Sequence, residues 1–245
     1  MSWKLEKEKL GKEIICSLYE RGMIKTWHRD KPEGWVLISG IWSPFYIQLR
    51  PLSSYPKLLK KIGYAMGKMI KEEAKGVSKV VGVAMAGLPI ATAIALCHEI
   101  PSAFTRKLEG IKTLQGFRAS IGKYGEHTLV EGDFKNGDKI IVVDDLVTKF
   151  DSKLIVIEQI KYEVESRGLS NVICRDVAVL IDREQGACQR AKEYGISLYS
   201  LIPFETKGLP WLKEKMSSQE YQVITEYLGN PNKYQRQEIQ RELVE

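Results

Sequence analysis

The chain has 245 residues, 44% hydrophobic and 28% charged, enough for one substantial α/β domain with appendages and unlike disordered or fibrous compositions. Its formal charge of +6 points to an anionic partner without choosing among nucleic acid, phosphate ester and pyrophosphate. The four cysteines form no C-x-x-C pair and the three histidines do not cluster, which argues against a disulfide framework or zinc site and for reduced thiols in the cytoplasm.

In chain order, residues 5–20 place Leu10, Ile14, Ile15, Leu18 and Tyr19 among charges, a one-faced helix ending near Gly22. Residues 34–50 read as two short strands, because Ser39-Gly40 and Ser43-Pro44 punctuate aromatic and β-branched residues. Residues 56–75 carry Leu58, Leu59, Ile62, Met66, Met69 and Ile70 at helical spacing. Residues 80–97 hold no charge, the short end of a membrane-spanning length. Pro89 after the turn Ala86-Gly87-Leu88 divides that run into a buried strand and a buried helix, which argues against a membrane span.

The pattern then alternates: strand 79–84, helix 89–98, strand 102–106, a polar excursion over 108–137, strand 139–144, helix 152–167, strand 172–181, helix 187–194, strand 197–202. Such alternation predicts an α/β fold, a mostly parallel central sheet with helices on both faces. Ser217 and Glu220 have capping-box spacing for a last helix over 217–228. The polar end, 230–245, is a docked helix or a solvated tail, and its polarity favours the tail. Nucleic-acid binding through 230–241 finds no support, since the segment lacks interleaved aromatics and any helix-turn-helix pattern. The expected division is 1–55 as N-terminal helix and hairpin, 56–205 as core, and 206–245 as C-terminal helical segment.

In an open parallel sheet ligands bind beyond the carboxyl ends of the strands, which singles out 85–88, 144–152 and 182–187. The adjacent carboxylates Asp144 and Asp145 follow four buried-type residues, Ile140 to Val143. They cost desolvation there unless they meet sugar hydroxyls, a metal or a base. The usual phosphate motifs are absent: Gly82 and Gly87 are followed by Leu88-Pro89, and no G-x-G-x-x-G follows a strand.

Six segments, "VLISGIWSPFYIQLR", "GVAMAGLPIAT", "TRK", "KYGEHTLVEG", "IIVVDDLVT" and "VLIDREQGA", occur in the order and near the spacing of the orotate phosphoribosyltransferases, over residues 10–205. The chain resembles that family. The resemblance implies a type I phosphoribosyltransferase fold with a small N-terminal hood. It also implies an enzyme, a pentosyltransferase of pyrimidine biosynthesis, using phosphoribosyl pyrophosphate (PRPP), orotate and Mg²⁺ held mainly by PRPP. A homodimer is implied as well, its loop over 108–123 serving the neighbouring subunit. It implies catalytic roles for Asp144, Asp145 and Lys123, with PRPP on Arg106, Lys107, Tyr124, Asp144, Asp145, Thr148, Lys149 and Ser152. It implies a pyrophosphate loop of Ala84, Met85, Ala86 and Gly87, and orotate on Tyr46, Thr148 and Arg183. The alternative implied by the same fold is a non-catalytic nucleotide or pyrimidine sensor.

The departures from the family are specific. Ile38 stands where the family has a lysine, Phe150 where it has a glycine, and Asp151 where it has Thr or Ser. The catalytic loop is longer, so Lys112, Arg118 and Lys123 all remain open as its cation. Phe150 is expected to keep backbone from phosphate and Asp151 to repel it. Phe150→Gly with Asp151→Thr is therefore expected to tighten PRPP binding. The loop 108–123 is expected to be a mobile lid, with a short amphipathic helix on Ile111, Leu114, Phe117 and Ile121 docking on a partner as the alternative.

Overall fold

The computed structural model describes residues 2–37, 40–111, 113–120 and 128–243. Its elements begin with α1 (Trp3–Glu20), β1 (Ile24–Thr26), β2 (Trp35–Val36), β3 (Trp42–Ser43), β4 (Phe45–Ile47), α2 (Pro56–Glu73), β5 (Lys79–Gly82) and α3 (Gly87–His98). There follow β6 (Ser102–Thr105), α4 (Leu114–Ser120), β7 (Val130–Glu131), β8 (Lys139–Val147), α5 (Asp151–Ser166) and β9 (Ile173–Asp182). The chain closes with α6 (Ala187–Glu193), β10 (Ser197–Pro203), α7 (Leu209–Leu212), α8 (Ser218–Gly229) and α9 (Gln237–Glu242). No helix among the described residues is long and apolar enough to cross a membrane.

The elements form two compact units: Met1–Lys7 with Leu52–Leu201, and Glu8–Pro51 with Ile202–Glu245. The first holds a six-stranded sheet in the order β10-β9-β8-β5-β6-β7. Pairs β5–β6, β5–β8 and β8–β9 are parallel, and β7 runs antiparallel to β6. Runs of β-branched residues make these strands because both faces are covered. Ile140, Val142, Val177 and Val179 meet Ile157, Ile160 and Val164 of α5 in one apolar cluster. The residues that alternate with them, Ile141, Val143, Ala178 and Leu180, are buried on the opposite face, where α3 packs on β5 and β8. The uncharged run is β5 followed by the twelve-residue α3, as its proline and small-residue turn suggest.

Two expectations for this unit are corrected. Strand β8 continues three residues past Asp144, pairing Asp144 with Val179 and Val147 with Asp182, so the acids lie inside the strand. They still lie beside the sheet edge, because neighbouring β5 ends earlier, at Gly82 opposite Val143. The described part of the excursion 108–137 is not all loop either. It contains α4, whose Phe117 is fully buried in the cluster with α5. Apolar spacing of three residues outweighs the polarity of the segment, and the amphipathic helix forms, packed on α5 of the same chain where the expectation had it on a partner. Ile121 of that pattern falls outside the described residues.

In the second unit, β1 pairs antiparallel with β4 and β2 with β3. The sequence hides β1, only three residues long. Ser217 and Glu220 close the capping box of α8. Buried Glu220 also accepts hydrogen bonds from the Thr26 and Tyr19 hydroxyls. Burial and that carboxylate push the Tyr19 phenol up to about 12. The C-terminal segment is docked rather than solvated: Tyr234 is buried, stacks on Trp42 at 6.3 Å, and is joined by Gln235, whose Oε1 accepts the Trp42 N–H at 2.8 Å.

Candidate active site

Because β5, β6, β8 and β9 are parallel, the segments after or near their carboxyl ends share one sheet edge. That edge carries the turn after β5, Arg106 after β6, the acid pair of β8, and Arg183 after β9. Arg183 is buried, and its N–H donates to Val147 O at 3.1 Å, which fixes it beside the end of β8.

The turn is built against the acids. Val83 N–H donates to Val143 O at 2.9 Å and Gly87 N–H to Val83 O at 3.0 Å. The Thr105 hydroxyl accepts the Ala84 N–H at 3.2 Å, and the Ala84–Met85 peptide is cis. A Cβ on Gly87 would lie 2.4 Å from Val143 O and 3.0 Å from Asp144 Oδ1, so only glycine lets the turn approach the acid pair this closely. Met85 projects into solvent, 70% exposed.

The two carboxylates have different surroundings. Asp144 is buried and ion-paired with Lys153 of α5, itself buried, whose Nζ also donates to Leu146 O at 3.1 Å. Asp145, half-buried, has its carboxyl pushed up to about 7, first by desolvation and then by the Asp144 charge. Asp182, at the end of β9, is also raised by burial while its Oδ1 accepts the Glu184 N–H at 2.8 Å.

In the loop after the acids, Phe150 and Asp151 each find a partner within the chain. Phe150 adopts a left-handed conformation, φ 72°, of the kind glycine adopts freely. Its ring is 1% exposed and belongs to the core cluster with Val147 and Leu154, so it does not cover the outer backbone of the loop. Asp151 is exposed but meets Arg190 at 3.3 Å, which offsets its charge. Thr148 is half-buried, and Lys149 and Ser152 are exposed.

Arg106 is exposed and meets Glu131 at 3.7 Å, and Lys107 is exposed next to it. Arg118, one of the three cations left open for the catalytic loop, sits in α4 and meets Glu158 at 3.2 Å. Lys112, Lys123, Tyr124 and Ile38 lie outside the described residues. Tyr46 belongs to the second unit, half-buried in β4 and stacked on Trp35 at 6.1 Å.

Sequence reasoning overlooked Lys153, Thr105, Gln159 and Glu163. Gln159 Nε2 donates to Arg106 O at 3.0 Å and Leu129 O at 2.7 Å, tying the two ends of the 107–128 excursion to α5. Glu163 Oε2 accepts the Leu129 N–H at 2.5 Å and the Val130 N–H at 3.2 Å. One signal for Lys153 was present: it continues the apolar stripe of Ile157, Ile160 and Val164 one turn before Ile157.

No protein-family model matches the chain. An orotate phosphoribosyltransferase of Pyrococcus abyssi is 32% identical over 197 residues, 79% of this chain and 92% of that protein. The chain belongs to the orotate phosphoribosyltransferase family. A solved orotate phosphoribosyltransferase structure from Aeropyrum pernix superposes with a TM-score of 0.58 at 26% identity, covering 82% of this chain and 98% of that one. The structure of Leishmania donovani UMP synthase aligns with a TM-score of 0.71 at 22% identity, covering 89% of this chain and 42% of that one. These likenesses agree with the parallel sheet and flanking helices of the type I phosphoribosyltransferase fold.

Proposed function

We propose that the chain catalyses transfer of ribose 5-phosphate from PRPP to orotate, giving orotidine 5′-monophosphate and pyrophosphate in pyrimidine nucleotide synthesis. The observation that carries this reading is the Asp144–Asp145 pair, pressed against the Gly87 turn at an edge shared with Arg106 and Arg183, in a chain of this family.

The anomeric carbon of PRPP passes through an oxocarbenium-like state as pyrophosphate departs, so the protein must orient the ribose and receive negative charge. Asp145 accepts ribose hydroxyls, with Asp144 behind it. Backbone N–H groups of Ala84–Gly87, with Arg106 and Lys107, take the leaving pyrophosphate. Thr148, Lys149 and Ser152 at the start of α5 take the 5′-phosphate, where the helix N-terminus favours an anion. Arg183 and Thr148 receive orotate, the guanidinium facing its carboxylate. Lys123 and Tyr124 complete the PRPP contacts from the loop.

The donor set fits Mg²⁺ brought in with the ligand. Among the described residues no cluster of three acidic, histidine or cysteine side chains forms a cage, whereas Asp145 offers one hard oxygen ligand to add to those of the phosphates. Bound there, Mg²⁺ would neutralise charge on the pyrophosphate. We further propose a homodimer in which the 108–123 loop serves the neighbouring site, testable by sedimentation.

Calorimetry with PRPP and with orotidine 5′-monophosphate, joined to an orotate-depletion assay, tests the whole reading. Saturable binding of both ligands with orotate consumed is expected. Binding without consumption overturns the catalytic part, and no binding of either overturns the site.

A further inference from the structure

The first turn of α5 carries a lysine that none of the assigned contacts uses. Lys153 lies on the apolar stripe of its helix and is 4% exposed, and an ammonium so buried is heavily penalised unless paired. It is paired: Nζ donates to Asp144 Oδ2 and, at 3.1 Å, to Leu146 O. The other Asp144 oxygen, Oδ1, accepts the Asp145 N–H at 2.8 Å. Both oxygens of Asp144, a residue 6% exposed, are thus engaged from within the same unit. Asp145 is the more exposed of the two acids.

We propose that Lys153 is a positioning residue that divides the work of the acid pair: it holds Asp144 as an internal counter-ion, leaving Asp145 alone to meet ligand, with at most one net negative charge in place of two. The inference rests on the phosphoribosyltransferase reading and deepens it. PRPP carries a pyrophosphate and a phosphate, and each uncompensated carboxylate within a few ångströms repels it. A built-in cation lowers that repulsion before any Mg²⁺ binds. It also fixes the Asp144 side chain, and through Oδ1 the backbone on which Asp145 stands.

The test is calorimetric titration of the full chain with PRPP across a series of Mg²⁺ concentrations, with a melting curve for each protein. Lys153→Met should bind PRPP about five- to thirty-fold more weakly at low Mg²⁺, approaching wild type as Mg²⁺ saturates. Asp144→Asn combined with Lys153→Met restores a single negative charge and should recover wild-type Mg²⁺ dependence, with affinity within about threefold. A purely structural lysine would move melting temperature but not Mg²⁺ dependence. Folded Lys153→Met with wild-type affinity throughout the series overturns the proposal, as does a double variant as weak as Lys153→Met. Should Lys153→Met not fold, the double variant decides alone: wild-type Mg²⁺ dependence supports the division, and more than about tenfold weakening at every Mg²⁺ level overturns it. Wild type that binds no PRPP at all overturns the functional reading itself, a result distinct from either variant's failure.

Discussion

Asp145 and Phe150 are single residues whose roles become clear only when their surroundings are known. A carboxyl raised to about 7 binds more protons folded than unfolded between its unfolded value, about 4, and 7. Folding stability contributed by Asp145 therefore falls as pH rises through that window. Asp145→Asn, without divalent cation, should melt at the wild-type temperature below pH 4 and above it at pH 8; equal melting at pH 8 contradicts the assigned environment. Asp144→Asn should instead lower the melting temperature, since it strands the buried Lys153 ammonium at a cost of about 3–5 kcal/mol. The two acids look alike in sequence, and only the stripe position of Lys153 hints that they differ. Phe150→Gly is now expected to destabilise. It hollows the core at about 3–5 kcal/mol, while relief of the left-handed strain returns about 1–2 kcal/mol. Denaturant unfolding reads the difference, and a Phe150→Gly protein as stable as wild type would show that the ring is not a core anchor.

At the scale of elements, the Gly87 turn and α5 hold the site together. Gly87→Ala places a methyl 2.4 Å from Val143 O, so the turn must withdraw from the acids. PRPP affinity should drop by at least about tenfold, read by calorimetry, and an unchanged affinity would separate the turn from the ligand site. Gln159→Leu leaves the Arg106 and Leu129 carbonyls without its amide, at about 1–3 kcal/mol. Hydrogen exchange at the Arg106 amide, which donates to Leu129 O, should quicken in that variant; unchanged exchange would show that Gln159 does not hold the excursion. Most of these elements were legible in the sequence, for a physical reason. Strands buried on both faces must be runs such as Ile140–Val143, and helices between them must show one-sided spacing such as Leu58, Ile62, Met66 and Ile70. What escaped were features set by partners distant in sequence. The extension of β8 through its acids depends on β9, the burial of Phe117 on α5, and the docking of Tyr234 on Trp42, far earlier in the chain.

For the whole molecule, a net charge of +6 suits a phosphorylated sugar substrate, and the basic residues that matter are the few at one sheet edge. The edge itself was readable from strand–helix alternation, and the residues bound for it were named by the motifs of the family. Their pairing was not readable: Asp151 with Arg190, Arg106 with Glu131, and Asp144 with Lys153 join segments that no local pattern connects. The loop after the acids departs from the family in composition, yet Phe150 keeps a glycine-like backbone and buries its side chain in the core.

Phosphoribosyl transfer at this edge is assigned to Asp145. Steady-state orotate consumption with PRPP and Mg²⁺, measured for wild type and for folded Asp145→Asn side by side, tests it most directly. Wild type should consume orotate, and Asp145→Asn should be slower by about a hundredfold or more. Folded wild type that leaves orotate untouched, or an Asp145→Asn variant that matches its rate, would contradict the account.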